Sequence, residues 1–280
     1  FMNKPCGPDE LTTALNSGIR QHELITAEKE LLEKTLRGSI DALSNVLALS
    51  NPEVFGSTSR SKHRMQQLAD CLELSDTWFY ESAAMLCKVG CIAVSEELVR
   101  RKVGGHKLSD DEYEEFAEHA TIGARLVKNI PRMEQVAKAI QYQEKHFDGS
   151  GFPKDGVRGE DIPLAARMLK IVLDYDAAEA SGATQDGAFE RLKVQADRYD
   201  PAILDAFERS MKIDLDLVTS TIPLMKLDDT MTIAEDVKTA DGILLIAKGQ
   251  ETTLSVRRHL QNYRDKGLIG SEFVVRHPAH

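Results

Sequence analysis

From Pro8 to Leu49 the chain contains no further proline, and Leu11, Leu15, Ile19, Ile25, Leu32, Leu36, Leu43 and Leu47 fall close to helical spacing. Such a stretch predicts one long helix, with a break expected near Gly38. Its middle, ITAEKELLEKTL, interleaves glutamate and lysine around the leucines. That pattern suits either the seam of a coiled-coil dimer or a helix packed on its own domain.

After SNPEVFG at 50–56, which reads as a stop and a turn, helical patterns resume over 57–73, 77–90, 109–128, 131–146, 162–181, 186–197 and 201–212. The pattern changes near Ile213. From about Val218 come β-like runs, MTIAEDVKT and GILLIAKG, joined at the turn signal ADG, then a helix, TLSVRRHLQNYRDKG, and a last strand, GSEFVVRH. The expected fold is mainly α: a long linker helix over 1–49, an all-helical domain over 50–215, and a small α+β C-terminal module over 216–280.

Charge narrows the partners. With 35 basic against 45 acidic side chains the formal net charge is −10, which argues against a large contact with nucleic-acid phosphates. Four scattered cysteines form no disulfide framework. No apolar run approaches the roughly 20 residues that span a bilayer, so no membrane insertion is expected. With no signal-peptide pattern at the amino terminus either, the expected location is the cytoplasm.

The loop DGSGFP at 148–153 is built for a tight turn. Asp148 can bond its own backbone, Gly149 and Gly151 permit positive φ, Ser150 lies between them, and Pro153 fixes the exit after Phe152. Together with GEDIPLAARML downstream, this loop resembles the HD-GYP family of metal-dependent phosphohydrolases, enzymes that hydrolyse cyclic di-GMP, with GFP standing for GYP. The resemblance runs over roughly residues 50–212, through NPEVFGSTSRSKHRMQQLADCLEL, AAMLCKVGCIAV, FAEHATIGARLV and RYDPAILDAF.

What the resemblance implies about the site is a loss of ligands. The family's opening histidine falls on Ser57, its His-Asp pair on Cys87 and Lys88, its later lysine on Cys91, its two adjacent histidines on Gln143 and Glu144, and its late aspartate on Leu173. Asp174 stands one residue off, on another helix face. Only His119 keeps a family ligand identity, and His119, Glu144 and Asp174 are the remaining metal candidates. The expected cofactor is therefore none. The alternatives are a divalent iron, manganese or zinc ion, including a new single-metal site from His146, Glu144, Asp148, Asp174 and Cys87. Cys87 and Cys91, four residues apart beside Lys88, read as buried small hydrophobes rather than reactive thiols.

A second resemblance lies at the start. FMNKPCGPDEL is similar to the end of a response-regulator receiver domain, whose conserved lysine would be Lys4. The combined expectation is a degenerate HD-GYP output domain of a response regulator, acting in two-component signalling without catalysis. It would dock a signalling protein on the loop from Asp148 to Pro153, with Phe152 as an exposed anchor, and form a homodimer through the N-terminal helix. The alternatives are an active cyclic di-GMP phosphodiesterase with an altered site, or an effector that binds cyclic di-GMP without hydrolysis, with Arg125, Lys145 and Arg167 as phosphate contacts.

Overall fold

The computed structural model describes residues 8–213 and 217–278. Lys4, the receiver-like lysine, lies outside the described residues. The chain divides into two compact units, 1–42 and 43–280.

Helix α1 spans Pro8–Ser50 without interruption. The break expected at Gly38 does not occur, because a lone glycine on an open helix surface costs only about 1 kcal/mol against alanine, too little to end a helix of this length. Within the first unit, Leu15, Ile19, Leu24, Ile25, Leu31 and Leu32 are each half or more exposed.

In the second unit, α2 (Pro52–Phe55) starts under an Asn51 cap whose side chain accepts from Val54 N, and α3 (Thr58–Cys71) and α4 (Thr77–Leu86) follow. Then come α5 (Glu96–Val103), α6 (Asp110–Lys128) and α7 (Glu134–Gln141). The helical domain closes with α8 (Leu164–Ala180), α9 (Gln185–Val194) and α10 (Pro201–Ile213). Helix α6 opens on a reciprocal capping box between Ser109 and Glu112.

The core lies where α3, α4, α8 and α10 meet, around Met65, Leu68, Leu86, Leu169, Val172 and Phe207, all essentially without exposure. Tyr175, Phe189 and Phe207 stack there, with ring centroids 4.9 to 5.6 Å apart.

Two expected helices are shorter than their patterns. The first, expected over 77–90, ends at Leu86 and tightens into a 3-10 turn over Val89–Ala93. The turn presses on α6 so closely that a Cβ at Gly90 would overlap the His119 carbonyl oxygen. The second, expected over 131–146, ends at Gln141, and residues 143–146 leave the helical path to enter the interior, where all four are buried.

The C-terminal module holds a three-stranded antiparallel sheet in the order β1–β5–β2 (Leu217–Pro223, Glu272–Pro278, Thr232–Ile233). A hairpin of β3 (Val237–Lys238) and β4 (Leu244–Ile246) turns through Gly242 at positive φ, as the ADG signal suggests. Helix α11 (Leu254–Asp265) completes its core with Val256 and Leu260 against Ile233, Ile246, Phe273 and Val275.

The module is docked on the helical domain. Arg60 Nη1 donates to Lys248 O at 2.8 Å. Gly249, at φ +85°, lies against the Arg60 side chain, and Ala247 fills the space that a Cβ on Gly56 would need.

Candidate functional site

A cavity of about 680 Å³ opens between the helical domain and the C-terminal module. Ser57, Lys88, Cys91, His119, Gln143, Glu144 and Leu173 line its helical side, so the positions singled out in the sequence come together in space. Asp174 lines it too, although the sequence reading had turned it onto another face. Ala234, Asp236, Leu244, Ala247 and Lys248 of the module form the opposite wall. Nothing in the sequence suggested that wall.

Lys88 is buried and its Nζ donates to Ser57 Oγ at 2.6 Å and Val54 O at 3.1 Å. Burial lowers its pKa, and the neighbouring thiols oppose this only in part. The thiols move the other way: desolvation pushes Cys87 up to about 11 and Cys91 up to about 12, and Lys88 offsets only part of this. Both are therefore inert at neutral pH, which agrees with the reading as small buried hydrophobes.

The environment of His119 leaves no nitrogen free. Nδ1 lies 2.7 Å from Phe116 O, to which it donates, so Nε2 is the acceptor and takes a hydrogen from Gln143 Nε2 at 3.0 Å. The same amide nitrogen donates to Cys87 O at 2.9 Å. This fixes the amide orientation and leaves Gln143 Oε1 buried with no hydrogen-bond partner.

The carboxylates are held by a residue that the sequence reading missed. Lys170, buried on α8, sits 3.5 Å from Glu144 and 3.0 Å from Asp174. Tyr113 OH donates to Glu144 at 2.7 Å and Tyr199 OH to Asp174 at 2.9 Å. Burial alone would raise both carboxyl pKa values, but Lys170 and then Lys102 outweigh it, so Glu144 falls below its usual range and Asp174 drops to about 2. The i, i+4 spacing of Lys170 and Asp174 was the available signal.

The proposed new metal site does not assemble. His146 Nδ1 bonds Ser150 Oγ at 2.8 Å, Asp148 is exposed and accepts from Ser150 N and Oγ, and Cys87 donates to Ala84 O. Among the described residues, no three His, Cys, Asp or Glu side chains converge as a metal would require.

The 148–153 loop is a surface turn anchored from below. Gly149 and Gly151 take φ +95° and +79°, and a Cβ at Gly151 would overlap the Glu144 carbonyl oxygen. Lys145, fully buried, donates to Pro153 O at 2.6 Å and pairs with Asp155 at 3.2 Å. Phe152 is half-buried, not fully exposed as expected: its ring lies 5.8 Å from that of Tyr113, with Lys154 across it at 5.0 Å. Arg125 is exposed and Arg167 is tied to Asp200. Neither of these, nor Lys145, lines the cavity.

Comparison with known proteins places this geometry. Residues 41–203 match the family described as HD domain. A probable cyclic di-GMP phosphodiesterase of Vibrio cholerae is 25% identical over 63% of this chain and 44% of its own length. The cyclic di-GMP phosphodiesterase response regulator RpfG of Xanthomonas campestris is 28% identical over 75% of this chain and 61% of its own. The chain thus spans about half the length of these relatives. In fold it is similar to a cyclic GMP-AMP specific phosphodiesterase of V. cholerae, V-cGAP3, with a TM-score of 0.52, 18% identity, and coverage of 64% of this chain and 49% of that one.

This kinship corrects the expectation of no cofactor, since the phosphodiesterases matched are of the metal-dependent type that the sequence resembles. The described side chains at the cavity do not form such a donor set: Lys88 Nζ bonds Ser57 Oγ, His119 Nε2 accepts from Gln143, and no three His, Cys, Asp or Glu side chains converge. With more than half of its residues matched, the chain belongs to the HD domain family.

Proposed function

We propose that this chain is a signalling output domain of HD-GYP type, degenerate at its hydrolytic centre, that acts by docking a protein partner. The observation that carries the reading is Lys88: its ammonium, bonded to Ser57 Oγ at 2.6 Å, joins two positions where the family's chemistry needs ligands. A lysine there offers no carboxylate oxygen to bridge divalent ions.

What persists is the loop. Its two positive-φ glycines, the Asp148 turn and the buried Lys145 anchor hold Phe152 and Lys154 at the surface in a fixed arrangement. Upstream, α1 supplies exposed leucine and isoleucine side chains along a long helix, which supports a homodimer in which the helix transmits a signal. A response-regulator setting is supported by the similarity to the Xanthomonas response regulator RpfG; a receiver domain ending at Lys4 and a cytoplasmic location belong to the same proposal.

The test is a cyclic di-GMP hydrolysis assay on protein expressed with iron and manganese supplied, run beside a cellular signalling assay of Phe152→Ser. The expected result is no turnover, with signalling lost in a variant that remains folded. Turnover above background, or unchanged signalling by folded Phe152→Ser, overturns the reading.

A further inference from the structure

Lys88 is a buried cation without a counter-ion. Two of its three N–H donors go to Val54 O and Ser57 Oγ, and no carboxylate pairs with it among the described residues. Of the acids that line the cavity, Glu144 and Asp174 share Lys170, Asp176 and Glu179 hold Arg60 and Arg64, and Asp236 pairs with Lys238, while Glu53 and Glu235 form no ion pair with Lys88. Lys102, half-buried on the same cavity wall, rests 5.3 Å over the Tyr113 ring; its charge acts on Glu144 and Asp174 without a direct ion pair among the described residues. A buried lysine with no counter-charge either holds its proton at a cost of several kcal/mol or gives it up, the direction in which burial moves Lys88, and an anion that reaches it removes that cost.

The cavity offers one more unmet group. Gln143 Oε1 is a buried acceptor with no donor, and its amide cannot turn over because Nε2 is held by Cys87 O, the carbonyl next to Lys88. An unused donor and an unused acceptor at one end of a cavity select a ligand that carries both a negative oxygen and a hydroxyl.

We propose that the inner end of this cavity binds a small hydroxylated oxyanion, of the class of hydrogen phosphate or bicarbonate, with its charge on Lys88 and Lys102 and its hydroxyl donating to Gln143 Oε1. Such an anion supplies the missing counter-charge and returns Lys88 toward the pKa of a free lysine. The site stands apart from the docking loop, so it holds or fails independently of that reading.

Thermal unfolding of the full chain at fixed pH tests it, with inorganic phosphate or bicarbonate titrated against sodium chloride of equal ionic strength. Binding to the folded state raises Tm in a saturable way. The expected result is such a rise with at least one of the two oxyanions and none with chloride. Lys102→Met should weaken the apparent affinity at least about tenfold, the loss of one charge-assisted contact, and Lys88→Met should abolish the response. The absence of a saturable rise in the unmodified chain overturns the proposal whether or not Lys88→Met folds. A response undiminished in folded Lys88→Met or Lys102→Met also overturns it.

Discussion

The Lys170 ammonium stands 3.0 Å from the Asp174 carboxylate, one helical turn further along α8. This pair, joined by Glu144 at 3.5 Å, places a fixed positive charge of the protein's own between two acids. The phenols of Tyr113 and Tyr199 complete the cluster. It is a closed network in which each charged group has a partner, and that is how a low-dielectric interior tolerates charge.

Removing the cation from that network leaves two buried carboxylates facing each other. Lys170→Met should cost about 3–5 kcal/mol at pH 7 by chemical denaturation, the usual penalty for breaking a buried pair on one side. The loss should shrink in acid. Asp174 is held at about 2 against an ordinary 3.8, so its contribution in the unmodified chain is complete above pH 4 and is lost as pH falls toward 2. A deficit in the variant that stays constant from pH 7 to pH 3 would contradict this account.

Gly90→Ala should be among the most damaging small substitutions in the helical domain. Its Cβ would overlap the His119 carbonyl oxygen and come within 2.5 Å of Gly123 N, so the 3-10 turn and α6 must separate. A loss of at least about 2 kcal/mol is expected from overpacking against backbone. A denaturation midpoint within error of the unmodified chain would show that the turn yields freely.

Thiol chemistry checks the burial of the site. With Cys87 at about 11 and Cys91 at about 12, both should resist iodoacetamide at pH 8 in the native state and react once the chain is unfolded. Peptide mass spectrometry after timed labelling reads this directly. Rapid native labelling of Cys91, which lines the cavity, would mean that its thiol is open to solvent.

Docking of the C-terminal module depends on a glycine. Gly249 adopts φ +85°, and a Cβ there would lie 2.9 Å from Arg60 Cβ. A β-branched side chain is doubly unsuited to that place, by backbone conformation and by contact. Gly249→Val should therefore speed amide hydrogen exchange in the β3–β4 hairpin and in α2 while sparing α8. Unchanged exchange would mean that the contact with Arg60 does not hold the module.

Much of this architecture was legible in the sequence because helical periodicity is a local signal. Helices α3, α4, α6, α8, α9 and α10 fall where the apolar spacing puts them. Helix α5 was missed because two glycines follow it and it is only eight residues long, though Glu96 and Glu97 at its start and Arg100 to Lys102 at its end carry the charge pattern of a helix. Strand β1, LVTSTIP, offered too weak an alternation to separate from its surroundings and gains its identity by pairing with β5.

At the site, the loop glycines were readable because positive φ restricts residue type. The full Lys170 cluster was not: Tyr113, Glu144 and Tyr199 come from distant segments, and only the fold brings them to the Lys170–Asp174 pair. The seat of Ala247 against Gly56 was unreadable for the same reason.

That seat bears on where the functional unit ends. Ala247 and Lys248 form part of the cavity's wall, so a fragment stopped at Ile213 would lack one side of its own chamber and expose the α2–α3 surface around Gly56 and Arg60. The C-terminal module, 216–280, is in this sense masonry rather than ornament. Exchanging it for that of another protein would remodel the chamber even with every helical residue left in place.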